Sequence, residues 1–170
     1  MNILVAIAST YGSTRELGEW VAEELRGAGH TVRVEDVGAA GSLQAYDGVV
    51  LGSAVYIGRI LTQARQFARR LEMEFAPKPV WVFAAGMKNV TTYPLGIRYT
   101  SPVHPPYFSG QYPIFGGEVD RDRLGPAERA LVGFVGAQHR SQRNRQIVAA
   151  WAGEVAARMH ALDTQHETGS

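Results

Sequence analysis

Hydrophobic positions in the first half of the chain alternate between short unbroken apolar runs and stretches with helical spacing. ILVAIA (3–8), YDGVVLGSAV (46–55) and VWVFAA (80–85) are typical of strands covered on both faces, and TVRVEDV (31–37) alternates like a more exposed strand. Between these runs lie two amphipathic helical patterns, and Gly29 is a stop signal for the first. Their apolar positions are Leu17, Val21, Leu25 and Ala28, then Leu61, Ala64, Phe67, Ala68, Leu71 and Phe75.

This order of elements predicts parallel strands joined by helical crossovers. PIFGGEV (113–119) supplies a fifth strand, and two further helical patterns follow it. Their apolar positions are Leu124, Ala127, Leu131 and Val135, then Val148, Trp151, Val155, Met159 and Leu162. We therefore predict one α/β domain over residues 1–162, a three-layer α/β/α sandwich around a five-stranded parallel sheet. The polar segment 163–170 is expected to be a disordered tail.

One long stretch, residues 86–113, lacks clear periodicity and is rich in proline and aromatic residues. Loops of this length in compact domains are usually binding loops, lids or disordered segments. The aromatic residues argue against full disorder. We expect this loop to be a lid or a partner surface, with packing filler as the alternative. Its aromatic residues are Tyr93, Tyr99, Tyr107, Phe108 and Tyr112.

Composition and charge exclude several classes of chemistry. The 170 residues include no cysteine, which rules out disulfides, thiolate catalysis, iron–sulfur clusters and cysteine zinc sites. The five histidines show no metal-ligand spacing, so no metal site is predicted, and His30 reads as an ordinary loop residue. A formal net charge of +1 gives no reason to expect a nucleic-acid partner. No apolar run reaches the roughly 18 residues of a membrane span and no signal peptide is evident, so a cytoplasmic location is expected.

The hydroxyl-rich segment after the first strand indicates phosphate binding. ASTYGST places Ser9, Thr10, Ser13 and Thr14 around Gly12, where the first helix begins. Helix N-terminal amides favour an anion, hydroxyls add neutral donors, and glycine allows close backbone approach. The G-x-x-x-x-G-K-[ST] loop and the G-x-G-x-x-G fingerprint are both missing. The alternative use of these hydroxyls is a helix cap by Ser13 or Thr14, which would account for one of the four.

STYGST resembles the phosphate loop of flavodoxins, which holds the terminal phosphate of FMN. The resemblance implies the flavodoxin-like fold, with strand order 2-1-3-4-5 and FMN bound where the strand order reverses. Tyr11 stands where flavodoxins usually carry threonine, and Ser13 replaces a common asparagine. YDGVVLGSAVYIGR (46–59) corresponds to the loop along the flavin ring, and AAGMKN (84–89) to the start of the third flavin loop.

The resemblance implies a set of cofactor-binding residues and assigns no catalytic residue. Tyr56 would supply a stacking face for the flavin ring, because aromatic rings stack with an offset; its alternative is a half-exposed turn aromatic. The set is Ser9, Thr10, Tyr11, Gly12, Ser13, Thr14, Ala54, Val55, Tyr56, Ile57, Gly58, Gly86 and Met87.

More narrowly, the chain resembles the flavodoxin-domain group that includes menaquinone-dependent protoporphyrinogen dehydrogenase. The shared stretches are GSAVYxGR, FARRL, FGGEVDRDRLGPAERALV (115–132) and a last helix containing Trp151 and Ala152. Many relatives carry an acidic G-D-x-R-D stretch where this chain has HRSQRN (139–144). The resemblance implies an FMN-binding oxidoreductase that passes electrons between a reduced substrate, such as a protoporphyrinogen-like molecule, and a quinone-type acceptor.

The net charge of the chain favours an oxidoreductase over a flavodoxin-type electron carrier. Shuttle flavodoxins are strongly acidic because a negative face docks basic redox partners, whereas this chain is nearly neutral. We therefore expect a hydrophobic acceptor, with Arg140, Arg143 and Arg145 meeting anionic lipid headgroups at the inner membrane face, or porphyrin propionates. The alternatives are a flavodoxin-type electron carrier that serves a redox partner protein, and a flavin-free binding module on the same fold.

Overall fold

A computed structural model describes most of the strands and helices that the sequence predicts. The predicted helix at 124–135 and residues 87–111 of the long loop lie outside the described residues. The described residues are 1–10, 12–56, 59–86, 112–116 and 145–168, without the side chains of Tyr56, Arg59 and 165–168.

The elements follow the predicted order, with small differences at their ends. They are β1 (Asn2–Ala8), α1 (Ser13–Gly27), β2 (Thr31–Asp36), β3 (Gly48–Tyr56), β4 (Arg59–Ile60), α2 (Thr62–Glu74), β5 (Val80–Gly86), β6 (Ile114–Gly116) and α3 (Arg145–Thr168). Helix α3 continues beyond Leu162, so residues 163–168, predicted as part of a disordered tail, are helical. Among the described helices, none is both long and apolar enough to cross a membrane.

The sheet has the order β2-β1-β3-β5-β6, and all four of these pairings are parallel. This confirms the predicted flavodoxin-like fold, whose strand order is 2-1-3-4-5 when the five main strands are counted. The two-residue strand β4 was not predicted. It pairs antiparallel with the end of β3, through Val55 with Ile60 and Tyr56 with Arg59, and so forms a short hairpin.

Strand β1 shows why the sheet carries helices on both faces. Ile3, Val5 and Ile7 pack with α1 and α3 on one face, whereas Leu4 and Ala6 pack with α2 on the other. Successive strand residues point to opposite faces, so an unbroken apolar run is buried only when both faces are covered. Fully burying each large apolar side chain contributes about 1.5–3 kcal/mol. The fold therefore follows from the apolar pattern.

Glycines in the left-handed region mark both ends of α1. Gly12 is the N-cap residue with φ 87°, and Gly29 follows the helix with φ 89°. The amides of Ala28, Gly29 and His30 donate to carbonyls of the last turn, at Glu24, Arg26 and Leu25. Only glycine adopts this backbone conformation without strain. The stop signal predicted at Gly29 is therefore confirmed.

Gly52 of β3 lies so close to its neighbours that no side chain fits. An added Cβ would come within 2.4 Å of Phe83 Cζ and 2.9 Å of Ile7 Cδ1. The Phe83 ring is held in turn by the rings of Phe115 and Trp151, whose centroids lie 5.8 and 5.9 Å away. We expect Gly52→Ala to lower the free energy of unfolding by about 1–3 kcal/mol, the usual cost of overpacking a core.

Gly153, inside α3, provides the matched control, because a Cβ there would meet nothing within 4 Å. Alanine is the better helix former, so Gly153→Ala should raise the free energy of unfolding by up to about 1 kcal/mol. Urea unfolding of both variants measures the difference. Effects of the same sign would contradict the packing argument.

His30 is buried, although the sequence suggests an ordinary loop residue. Its side chain is 5% exposed, its Nε2 has no hydrogen-bond partner among the described residues, and its ring centroid lies 4.7 Å from that of His160 in α3. Nε2 of His160 lies 3.0 Å from the carbonyl oxygen of Ala28. Burial lowers the pKa of His30, and the positive charges of His160 and the Met1 α-amino group lower it further.

The free energy of unfolding should decrease as the pH falls below 6.5, the ordinary pKa of histidine. Because the folded-state pKa of His30 is lowered, the unfolded chain takes up the proton first as the pH falls. Above pH 6.5 the His30 side chain is neutral in both the folded and the unfolded state, so it adds no pH dependence to stability there. As the pH falls from 6.5 toward the folded-state pKa, stability declines. We expect His30→Gln to flatten this decline in a series of melting temperatures between pH 5 and 8. Parallel curves for the two proteins would show that His30 does not cause it.

Candidate functional site

Three adjacent strands end side by side at one edge of the sheet. Ala8 at the end of β1 is the register partner of Ser53 in β3, and Ser53 is the partner of Ala84 in β5. The segments that follow these positions carry every cofactor-binding residue that the resemblance implies. Parallel strands leave their carboxyl ends at one edge, and that edge is where open α/β sheets bind ligands.

The segment between β1 and α1 forms a turn held by its own side chains. The Gly12 amide donates to Ser9 Oγ at 3.0 Å, and Gly12 then begins α1 as its N-cap residue. An added Cβ at Gly12 would meet nothing within 4 Å, so the positive φ, rather than close approach, requires glycine here. Ser9 and Ser13 are half-buried and Thr10 is exposed. Tyr11 lies outside the described residues.

Thr14 is the buried polar residue of this turn. It is 0% exposed, and its Oγ1 has no hydrogen-bond partner among the residues that the structure describes. Leaving a hydroxyl buried and unpaired costs about 1–3 kcal/mol by mutational measures. Such a hydroxyl at the first turn of a helix is an unsatisfied hydrogen-bond donor, next to helix amides whose partial positive charge favours an anion.

The capping alternative is not seen. Gly12 occupies the N-cap position, and no side chain makes a cap hydrogen bond to α1. The hydroxyls of Ser13 and Thr14 are therefore not used for capping. The helix begins with partial positive charge, which favours an anion.

Arg15, the basic residue nearest to this turn in the sequence, forms an ion pair away from the turn. Arg15 Nη1 lies 3.1 Å from Asp36 Oδ1, at the end of β2, and both side chains are largely exposed. The turn thus offers neutral hydroxyls and helix amides rather than a guanidinium. An exposed ion pair of this kind stabilises the fold by at most about 1 kcal/mol.

The segment predicted to lie along a flavin ring is the β3–β4 hairpin. Ala54 is buried and Val55 is half-buried, and Tyr56 is the last residue of β3. The side chain of Tyr56 lies outside the description, as do Ile57 and Gly58, so their predicted ring contacts stay predictions. The hairpin leaves the sheet at the same edge as the turn that follows β1.

The third loop begins at Gly86, the last residue of β5. An added Cβ at Gly86 would lie 2.7 Å from Ile114 Cγ2 of the neighbouring strand β6. Packing against β6 is therefore enough to require glycine at this position, independently of any role in ligand binding. Met87 lies outside the described residues.

Ser53 is a buried polar residue of the site that the sequence analysis did not single out. It is 1% exposed and makes two hydrogen bonds, to Ala54 and to Leu61. The available signal was a serine within the apolar run 46–55. A serine in such a run must find partners when the run is buried.

A groove of about 490 Å³ opens on the α2 side of the sheet. It reaches Ser9 of the turn, and its other walls are the segment after β2 and the first turns of α2, at Asp36, Val37, Gln63 and Phe67. None of its lining residues comes from the segments after β3 and β5. We therefore place the candidate site at the strand edge and not in this groove.

Of the three arginines predicted to meet anionic groups, the structure describes Arg145. Its guanidinium forms an ion pair with Glu23 of α1 and lies over the Trp20 ring, 5.7 Å from the ring centroid. Its charge is therefore largely compensated within the protein. Arg140 and Arg143 lie outside the described residues, and contact with a membrane or with propionates stays a prediction.

Comparison with known proteins assigns the family. Residues 4–146 match the model of the flavodoxin domain family, and the chain belongs to that family. The specific protoporphyrinogen dehydrogenase group is not established by this match. No curated protein matches the chain significantly.

Solved flavodoxins resemble part of the chain. An archaeal flavodoxin is 19% identical with a TM-score of 0.47, and the match covers 51% of this chain and 63% of that one. Flavodoxin 2 of Bacillus cereus is 31% identical with a TM-score of 0.42, covering 51% and 62%. A Fusobacterium nucleatum flavodoxin mutant, solved bound to flavin mononucleotide, is 17% identical with a TM-score of 0.43, covering 50% and 51%. The chain thus spans less than two thirds of the length of these flavodoxins.

Proposed function

We propose that this protein binds FMN at the carboxyl edge of β1, β3 and β5 and uses it for electron transfer. The observation that carries this proposal is the Thr14 hydroxyl at the first turn of α1, which is fully buried and has no partner within the described part of the chain. A phosphate oxygen would accept its hydrogen bond. Membership of the flavodoxin domain family supports flavin as the rest of the ligand.

The residues present fit the phosphate of FMN. Thr14 and the hydroxyls of Ser9, Thr10 and Ser13 would donate to it, together with the first amides of α1. A phosphate dianion at a helix N-terminus needs no lysine or arginine, because the oriented amides carry the compensating partial charge. The pairing of Arg15 with Asp36 is consistent with such a neutral cradle.

The isoalloxazine ring would lie beside the β3–β4 hairpin and the segment after β5. When bound, FMN supplies the redox chemistry, and the protein's part is to hold the ring and set its surroundings. The backbone of Ala54 and Val55 is held in the sheet or hairpin, so it would present fixed hydrogen-bonding groups along one ring edge.

Thr14→Val should weaken FMN binding without lowering the stability of the protein. Losing a hydrogen bond to a charged phosphate costs about 1.5–3 kcal/mol, so the Kd for FMN should rise by roughly tenfold to a hundredfold. The Kd for riboflavin, which lacks the phosphate, should stay the same. Without ligand, Thr14→Val should unfold at the same temperature as the wild type or higher, since it removes an unpaired buried hydroxyl. Flavin fluorescence quenching and thermal unfolding measure these quantities.

Two further variants serve as controls. Thr14→Ser keeps the hydroxyl and should retain most of the FMN affinity. Thr31→Val changes an exposed threonine at the amino end of β2 and should alter neither quantity. A wild-type protein that binds no FMN would exclude the proposal and favour the flavin-free alternative. If Thr14→Val weakened the binding of FMN and riboflavin equally, the phosphate of FMN would not be bound at Thr14.

For the acceptor, we propose a neutral hydrophobic molecule of the quinone class, which makes the protein an FMN-dependent oxidoreductase. The supporting observation is charge: the formal net charge is +1, whereas a carrier that docks basic partners needs a negative face. The reduced substrate, for example a protoporphyrinogen-like molecule, is proposed from the resemblance alone.

Salt dependence distinguishes an oxidoreductase of this kind from an electron carrier. We expect the photoreduced FMN protein to be reoxidised faster by menadione than by cytochrome c, a basic electron acceptor. We also expect the menadione rate to change little between low and high salt, because a neutral quinone is not steered by charge. A faster reaction with cytochrome c that slows steeply with salt would instead identify an electron carrier.

A further inference from the structure

The β3–β4 hairpin needs an anchor at its base, because its own ladder is short. Val55 pairs with Ile60 and Tyr56 with Arg59, and isolated two-stranded hairpins are at best marginally stable in water. The return strand β4 leads directly into α2, whose N-cap residue is Leu61. The position of the hairpin therefore depends on what holds the chain at Leu61.

The backbone ladder of the hairpin ends before Leu61. Ser53 is the register partner of Ala8 in β1 and also of Ala84 in β5. Both edges of β3 are thus paired at Ser53, so the antiparallel ladder cannot continue back along β3 past that residue. The hydrogen bond that β3 makes to the Leu61 amide comes from a side chain.

Ser53 supplies that hydrogen bond. The Leu61 amide donates to Ser53 Oγ at 3.2 Å, and Ser53 Oγ donates to the Ala54 carbonyl oxygen at 2.9 Å. One hydroxyl, 1% exposed, thus connects the outgoing and returning ends of the hairpin. A buried bond of this kind exchanges with water less readily than an exposed one, so it holds a defined geometry.

We propose that Ser53 is the positioning residue of the flavin-ring subsite. Its hydroxyl fixes the hairpin that begins at Ala54, and through the hairpin it sets the affinity and redox potential of the bound flavin. Ser53 itself contacts neither phosphate nor ring in this proposal. The inference rests on the proposed function, since it assigns to the ring subsite a residue that acts through the backbone.

The test compares Ser53→Ala with Thr14→Val, using FMN and riboflavin as probes. Ser53→Ala should raise the Kd values of both flavins by the same factor, about three- to tenfold, the size expected for one net hydrogen bond. Thr14→Val should weaken FMN alone. The midpoint potential of FMN bound to Ser53→Ala should move toward that of free FMN. A general loss of stability would lower the melting temperature without producing this pattern.

Ser42→Ala is the matched control. Ser42 is exposed, and its Oγ accepts from the Gln44 amide at 3.4 Å, so its hydroxyl anchors nothing at the strand edge. We expect unchanged flavin affinities and an unchanged potential. If Ser53→Ala also binds both flavins with wild-type affinity and potential, the inference is wrong.

Hydrogen exchange in the wild-type protein tests the same contact even if Ser53→Ala does not fold. The Leu61 amide should be protected in the protein without flavin, since its acceptor Ser53 Oγ belongs to the protein. Rapid exchange of that amide would overturn the inference while leaving FMN binding intact. Conversely, a protected Leu61 amide in a wild-type protein that binds no flavin would reject the proposed function and not the anchor.

Discussion

Parallel pairing of β1, β3 and β5 is the interaction on which the rest of the structure depends. It brings the ends of three strands, at Ala8, Ser53 and Ala84, to adjacent places on one edge. It also pairs both sides of β3 as far as Ser53, so the antiparallel ladder with β4 stays confined to the end of the strand. The same pairing exposes two apolar faces, and α1, α2 and α3 exist as stable helices because they cover these faces.

Helix α1 has an apolar face that stabilises the fold and an N-terminal end where a buried hydroxyl destabilises it. Leu17, Val21 and Leu25 are fully buried against the sheet, which holds the helix N-terminus in place at the strand edge. Thr14, in the same helix, buries a hydroxyl that no described residue of the protein satisfies. The packing of the apolar face offsets that cost. Such local conflicts between stability and satisfied hydrogen bonding are typical of binding sites.

Much of the fold and part of the site could be predicted because their signals are local. The apolar run of β1, the helical spacing of α1 and the stop at Gly29 each depend on neighbouring residues. The unpredicted features depend on distant ones. His30 is buried because α3 brings His160 against it, and no local pattern contains that contact. Ser53 becomes an anchor because the fold brings the Leu61 amide, eight positions away in the sequence, to its hydroxyl.

The two proposed subsites are held by different elements that start from neighbouring strands. The phosphate cradle begins α1 directly after β1, and the ring hairpin leaves β3 beside it, with Ala8 and Ser53 as register partners. A change of register by one residue would reverse the faces of a whole strand, so the spacing between the bases of the two subsites is fixed by the sheet. A ligand must then present a phosphate and a planar ring at one fixed separation. In the proposed site, that requirement would favour a flavin with a terminal phosphate over a free phosphate or an unphosphorylated ring, without a charged side chain from the described residues of the cradle.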